Sequence, residues 1–96
     1  MAFSFLTQEI AMDLGTANTV IFRNDDIVMD APSIVAIDNN TGKCIAIGQQ
    51  AKLMHEHTNP GIKTIRPLRN GVIADFNAAE MMIKGFIKQV NSRRKS

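Results

Sequence analysis

Apolar positions in the first half of the chain fall in short runs separated by turn-forming residues, the pattern of strands in close antiparallel order. Ile10-Ala11-Met12 ends on Asp13 and predicts a buried strand. The small, turn-prone stretch Leu14 to Asn18 follows, and then the β-branched and aromatic run Thr19-Val20-Ile21-Phe22-Arg23, so the local reading is strand, tight turn, strand. Asn24-Asp25-Asp26 predicts a second turn and Ile27-Val28-Met29 a third strand, with Pro32 marking its end. Ser33 to Ile37 is a further apolar run, and Asp38 to Gly42 turns the chain into Lys43-Cys44-Ile45-Ala46-Ile47. The result is a meander of short strands joined by close turns.

After Gly48 the pattern changes. Gln49 to Glu56 is rich in good helix formers and stops before Asn59-Pro60-Gly61, which predicts one short helix. Ile62 to Arg66 reads as a strand closed by Pro67, and Asn70-Gly71 as a turn before Val72-Ile73-Ala74. The final segment is the clearest helix: Asn77 is the expected N-cap with Glu80 three residues on, and apolar side chains recur at Ala79, Ile83, Phe86, Ile87 and Val90. The sheet of the first half is the expected cover for that stripe, giving an α/β layer architecture.

Composition narrows the classes. With 96 residues, 45% of them apolar and 21% charged, the chain supports one compact domain with a modest core. The single cysteine, Cys44, closes no internal disulfide; neither a secretory leader nor a membrane-spanning run is visible, so a cytosolic setting is expected. The net charge of +2 is uneven: from Lys84 onward there are 5 cations and no acid, against 6 cations and 9 acids before it. A basic end with no Trp, no Tyr and no reading helix is a poor match to nucleic acid, which is not an expected partner.

Chemistry concentrates in Asp13-Leu14-Gly15-Thr16-Ala17-Asn18-Thr19. Successive main-chain N–H groups in a tight turn make an anion-binding concavity, and glycine with small neighbours lets phosphate oxygens approach the backbone. The hydroxyls of Thr16 and Thr19 and the amide of Asn18 add uncharged donors. Asp13 would repel bare phosphate and is reconciled with it by a hard cation, typically Mg²⁺ that keeps most of its waters. Spacing alone leaves open the alternative of an ordinary hairpin turn in which Asp13 caps its own backbone.

Ile10 to Thr19 resembles the first phosphate loop of the actin and Hsp70 superfamily, and its Ala17-Asn18-Thr19 ending is more similar to the MreB family of bacterial actins. Ala31-Pro32-Ser33-Ile34-Val35-Ala36, Ala46-Ile47-Gly48 with Ala51-Lys52-Leu53-Met54, Ile65-Arg66-Pro67-Leu68 and Asn70 to Phe76 also resemble that family in order and spacing. The resemblance implies an actin-like, ribonuclease-H-like α/β fold. The chain would comprise the opening strands and helix of the first lobe, as a single partial domain over 1–96 with a small insertion subdomain at about 48–70. It further implies ATP and Mg²⁺ as ligands, with Gly15, Thr16, Ala17 and Asn18 at the phosphates and Asp13 near the metal through water.

For the family, the resemblance implies filaments formed by self-association at the inner face of the cell membrane, working with the cell-wall elongation machinery to determine cell shape. Phe3, Phe5 and Leu6 are the expected membrane contacts, the alternative being a frayed end that packs on the sheet. Family chains are several times longer, and the second phosphate loop and the adenosine-binding segment fall outside this stretch, so ATP hydrolysis by this chain alone is not expected. Strands deprived of later partners would keep open edges and favour self-association or strand exchange. The alternatives are an Hsp70-like or sugar-kinase-like ATPase sharing the loop, and a stand-alone module that binds filaments of a full-length relative.

The remaining residues have plainer readings. His55 and His57 read as exposed loop histidines, Met12, Met54, Met81 and Met82 as core filler, and Cys44 as a buried small hydrophobe.

Overall fold

The computed structural model describes residues 3–6, 10–57 and 59–95, with side chains over 10–57 and 59–92. A sheet of four strands, β1 (Phe3–Leu6), β2 (Ile10–Leu14), β3 (Asn18–Arg23) and β4 (Asp26–Pro32), is an antiparallel meander in that order. Strand β1 was not expected from the sequence: its backbone pairs with β2 from Phe3 opposite Leu14 to Leu6 opposite Ala11. The side chains of Phe3, Phe5 and Leu6, expected at a membrane, lie outside the described residues, as do those of the basic end Arg93, Arg94 and Lys95.

Alternation in the larger sheet sends Met12 and Leu14 of β2, Thr19 and Ile21 of β3 and Met29 of β4 to one buried face. Asn24 and Asp25, at φ of 50° and 70°, form the turn into β4, a conformation that Asn and Asp adopt at lower cost than other side chains. Between the pairs Phe22–Ile27 and Ile21–Met29 the register steps by one extra residue on β4, a bulge that turns Met29 inward and Asp30 outward.

The expected single sheet divides at Ser33. Beyond it, β5 (Val35–Asp38) is the central strand of a second sheet, with β6 (Cys44–Ile47) on one side and β7 (Ile62–Ile65) on the other, both antiparallel to it. Helix α1 (Gly48–Glu56) starts at a glycine with φ +64°, whose N–H donates to the Ile34 carbonyl at 3.0 Å. It covers one face of this sheet, where Ile34, Ala36, Ala46 and Ala51 form a small core. Val35 and Ile37 point the other way, into the main core, so β5 is buried on both faces and reads as an unbroken apolar run.

A short hairpin, β8 (Leu68–Arg69) and β9 (Val72–Ile73), turns through Asn70 and Gly71 at φ of 53° and 77°. Helix α2 (Phe76–Lys95) then brings Ala78, Met82, Phe86 and Val90 into one core with Met12, Leu14, Ile21 and Met29 of the larger sheet and Val35 and Ile37 of β5. Its cap is Asp75, which accepts the Ala78 N–H at 3.0 Å, and not Asn77. Glu80, expected to complete the cap, is instead 3.9 Å from Lys84 on the exposed side of the helix.

Two further expectations are corrected. Cys44 is exposed: it begins the edge strand β6, its thiol resting 3.5 Å from the Ala46 carbonyl. Met12 and Met82 are core residues, but Met54 and Met81 are only half-buried at its margin. No helix among the described residues is long and apolar enough to cross a membrane.

Candidate phosphate-binding loop

The turn between β2 and β3 consists of Gly15, Thr16 and Ala17, anchored below by the pairing of Leu14 with Thr19. Gly15 donates its N–H to the Asn18 carbonyl at 3.0 Å, and the Ala17 carbonyl accepts the Ser33 N–H at 2.8 Å. These bonds draw two loop carbonyls away from the open side of the turn. Among the described residues the N–H groups of Thr16 and Ala17 have no main-chain acceptor, which leaves donors free on an exposed tip. Gly15 is required here by space: a Cβ would stand 2.5 Å from the Asn18 main-chain oxygen.

Side chains around the loop divide by strand alternation. Thr16 is exposed, and its Oγ accepts the Gly71 N–H at 2.8 Å, tying the loop to the β8–β9 turn. That hydroxyl keeps its own proton to donate. Thr19 departs from expectation: it is fully buried, and its hydroxyl pairs with that of Ser33 at 2.8 Å, so it supplies nothing to the open side. The pair locks the chain where it leaves the larger sheet.

Asp13 is exposed and points away from the core, on the row in which it faces Val20, and Val20 faces Asp30. Asp30 went unnoticed in the sequence. It accepts a hydrogen bond of 2.9 Å from the Asn18 side-chain amide, so part of the expected phosphate donor is already engaged. A single acceptor-only carboxylate on an open face fits a cation that keeps its waters, since Mg²⁺ dehydrates reluctantly and takes few protein oxygens. No cluster of three or more His, Cys, Asp or Glu able to hold a bare ion occurs among the described residues.

A hairpin with freed amides joining the two central strands of an antiparallel sheet, with one long helix sharing its core, is the opening portion of an actin-like lobe, and comparison with known proteins agrees. Residues 7–96 match the MreB/Mbl protein family, and the chain belongs to that family of cell shape-determining proteins. It is 47% identical over 85 residues to the cell shape-determining protein Mbl of Bacillus subtilis, covering 88% of this chain and 26% of the relative. It is 48% identical over 91 residues to the cell shape-determining protein MreB of Haemophilus influenzae, covering 90% and 26%. The crystal structure of MreB5 of Spiroplasma citri bound to ADP superposes with a TM-score of 0.69 at 38% identity, over 88% of this chain and 25% of that one. The AMPPNP-bound form of the same protein gives 0.71 at 37%. The chain thus spans about a quarter of the length of these relatives. The family match sets aside the Hsp70-like and sugar-kinase-like readings of the loop.

Proposed function

We propose that this chain supplies the phosphate-cradling wall of an MreB-type ATP site. Gly15 allows the close turn, the main-chain N–H groups of Thr16, Ala17 and Asn18 and the Thr16 hydroxyl face the phosphates, and Asp13 holds hydrated Mg²⁺ through water. The reading rests chiefly on the outward N–H groups of Thr16 and Ala17, left free because neighbouring carbonyls are bonded elsewhere. The ADP and AMPPNP carried by MreB5 support it. Mg²⁺, when bound, screens the phosphate charge that Asp13 would otherwise repel. Phosphoryl transfer also requires a positioned nucleophile on the far side of the phosphate, so the role assigned to this wall is binding and not turnover.

The wider role follows the family: self-association into filaments at the inner face of the cell membrane, acting with the cell-wall elongation machinery in shape determination. The stretch at about 48–70, carrying α1 and β7, is read as the small insertion subdomain on that lobe.

Titration of the ¹⁵N-labelled chain with Mg·ATP and with ADP tests the reading. One wall of a site predicts a dissociation constant of about 1 mM, equivalent to about 4 kcal/mol. Amide shifts should centre on Gly15 to Asn18, and Asp13→Asn should weaken the Mg²⁺-dependent part. Absence of shifts in the loop at nucleotide concentrations on the order of 10 mM contradicts the proposal.

A further inference from the structure

A cavity of about 570 Å³ opens beside the loop, between α1, β7 and the β8–β9 hairpin. Its wall carries Arg66 and Arg69 on either side of Pro67-Leu68, with His55, Thr64, Asn70 and Thr16 completing the polar lining. No acidic residue is among its described lining residues. Two arginines lining one concave surface with no acid among its described residues are an arrangement that favours an oxyanion, because a guanidinium offers a planar fork of N–H donors.

The wall is also held in place. His55 Nδ1 lies 2.6 Å from the Thr64 hydroxyl, fixing the last turn of α1 against β7. The Gly71 N–H bonded to Thr16 Oγ at 2.8 Å fixes the β8–β9 turn against the loop. Arg69 immediately precedes that turn, and Asn70 forms part of it at φ +53°. The cations are thus mounted on elements braced on both sides, with no arginine hydrogen bond to a carboxylate among the described residues.

We infer that this cavity is a second anion site, distinct from the loop, which takes a free phosphate-class dianion between Arg66 and Arg69. Thr16, which lines the cavity at its border with the loop, is where the two sites adjoin, and the arginines lie outside the loop. The inference stands on the cavity's own charge and lining and does not require that the loop bind nucleotide.

Inorganic phosphate is the probe, titrated into the ¹⁵N-labelled chain at constant ionic strength set with chloride. Saturable shifts are expected at Arg66, Arg69, Asn70 and the His55 ring, with a dissociation constant in the millimolar range, about 1–10 mM. The two arginines are exposed; Arg66→Gln and Arg69→Gln should therefore keep the native amide dispersion, weakening phosphate about 3-fold each and about 10-fold together. Lysine at both positions should restore part of the affinity.

Repeating the titration with saturating Mg·ATP separates the two sites. Phosphate binding that persists beside nucleotide supports a distinct site. Strict competition between them, shifts confined to Gly15–Asn18, or affinity unchanged in the double glutamine variant with native dispersion overturns the inference. If Mg·ATP does not bind while arginine-dependent phosphate binding remains, the nucleotide reading fails and this site stands.

Discussion

Gly15→Ala is the most direct test of the loop, because the structure sets its cost. The added Cβ would lie 2.5 Å from the Asn18 carbonyl oxygen, an atom fixed in the backbone of β3. Non-bonded carbon contacts are best at about 3.5–4.0 Å, so the two chain segments have to separate by roughly 1 Å. Such a movement takes the Gly15–Asn18 hydrogen bond from 3.0 Å beyond hydrogen-bond range. Losing it costs about 0.5–1.5 kcal/mol, and the overpacking itself about 1–3 kcal/mol. Reduced freedom of the unfolded chain returns about 0.4–1 kcal/mol. The net destabilisation is about 2 kcal/mol, within a range of about 0.5–4 kcal/mol, a large fraction of the ~5 kcal/mol expected at the lower end of domain stability.

Because the chain contains no Trp and no Tyr, urea unfolding is best followed by far-ultraviolet circular dichroism. With a slope of about 1 kcal/mol per molar urea, the midpoint should fall by about 1 M or more. Any loop binding of Mg·ATP should fall with it, since the Thr16 and Ala17 amides move together with Gly15. An alanine variant with an unchanged midpoint and undiminished nucleotide shifts would show that the close approach at Gly15 constrains neither folding nor the site.

Other substitutions probe the rest of the framework. Gly85→Ala also meets an atom at 2.5 Å, but that atom is the terminal Cδ1 of Ile47, free to rotate away; with the gain in helix propensity of up to about 1 kcal/mol, its urea midpoint should stay near that of the parent. Asp75→Ala should cost about 0.5–2 kcal/mol through loss of the α2 cap, whereas Asn77→Ala should stay within about 0.5 kcal/mol; a reversed order in urea unfolding contradicts the cap observed. Thr19→Val leaves the buried Ser33 hydroxyl unpaired and should cost about 1–3 kcal/mol, most of it recovered in the Thr19→Val/Ser33→Ala double variant. Phe86→Ala removes a side chain only 1% exposed at the centre of the main core and should cost about 3–5 kcal/mol, enough to unfold much of the chain at 25 °C.

Local patterns were legible in the sequence because the forces behind them are local. The apolar run ending at Asp13, the turn residues Asn24-Asp25 and Asn70-Gly71, and the stripe along α2 each declare an element within a few residues. Legibility stops where the outcome depends on register. The bulge in β4 shifts its pairing by one residue, and in a strand that exchanges the two faces. It is this shift that turns Asp30 outward to Asn18 and sends Met29 inward. A reading of Ile27 to Pro32 as a plain strand therefore cannot identify Asp30 as a neighbour of the loop.

The same dependence explains Thr19 and Ser33. A threonine after a phosphate-type turn looks like a donor to the ligand, yet its parity in β3 sends it to the buried face, where a hydroxyl is tolerated only with a partner. Ser33 supplies that partner from fourteen residues away, at the point where one sheet gives way to the next. Its N–H also holds the Ala17 carbonyl, so the residue that divides the two sheets is the one that engages a loop acceptor while the Thr16 and Ala17 amides have no main-chain partner among the described residues. The anion-binding character proposed for the turn would thus be a tertiary property. Gly15 permits the shape, and the contact with Ser33 engages one of its acceptors, neither of which spacing in the sequence alone displays.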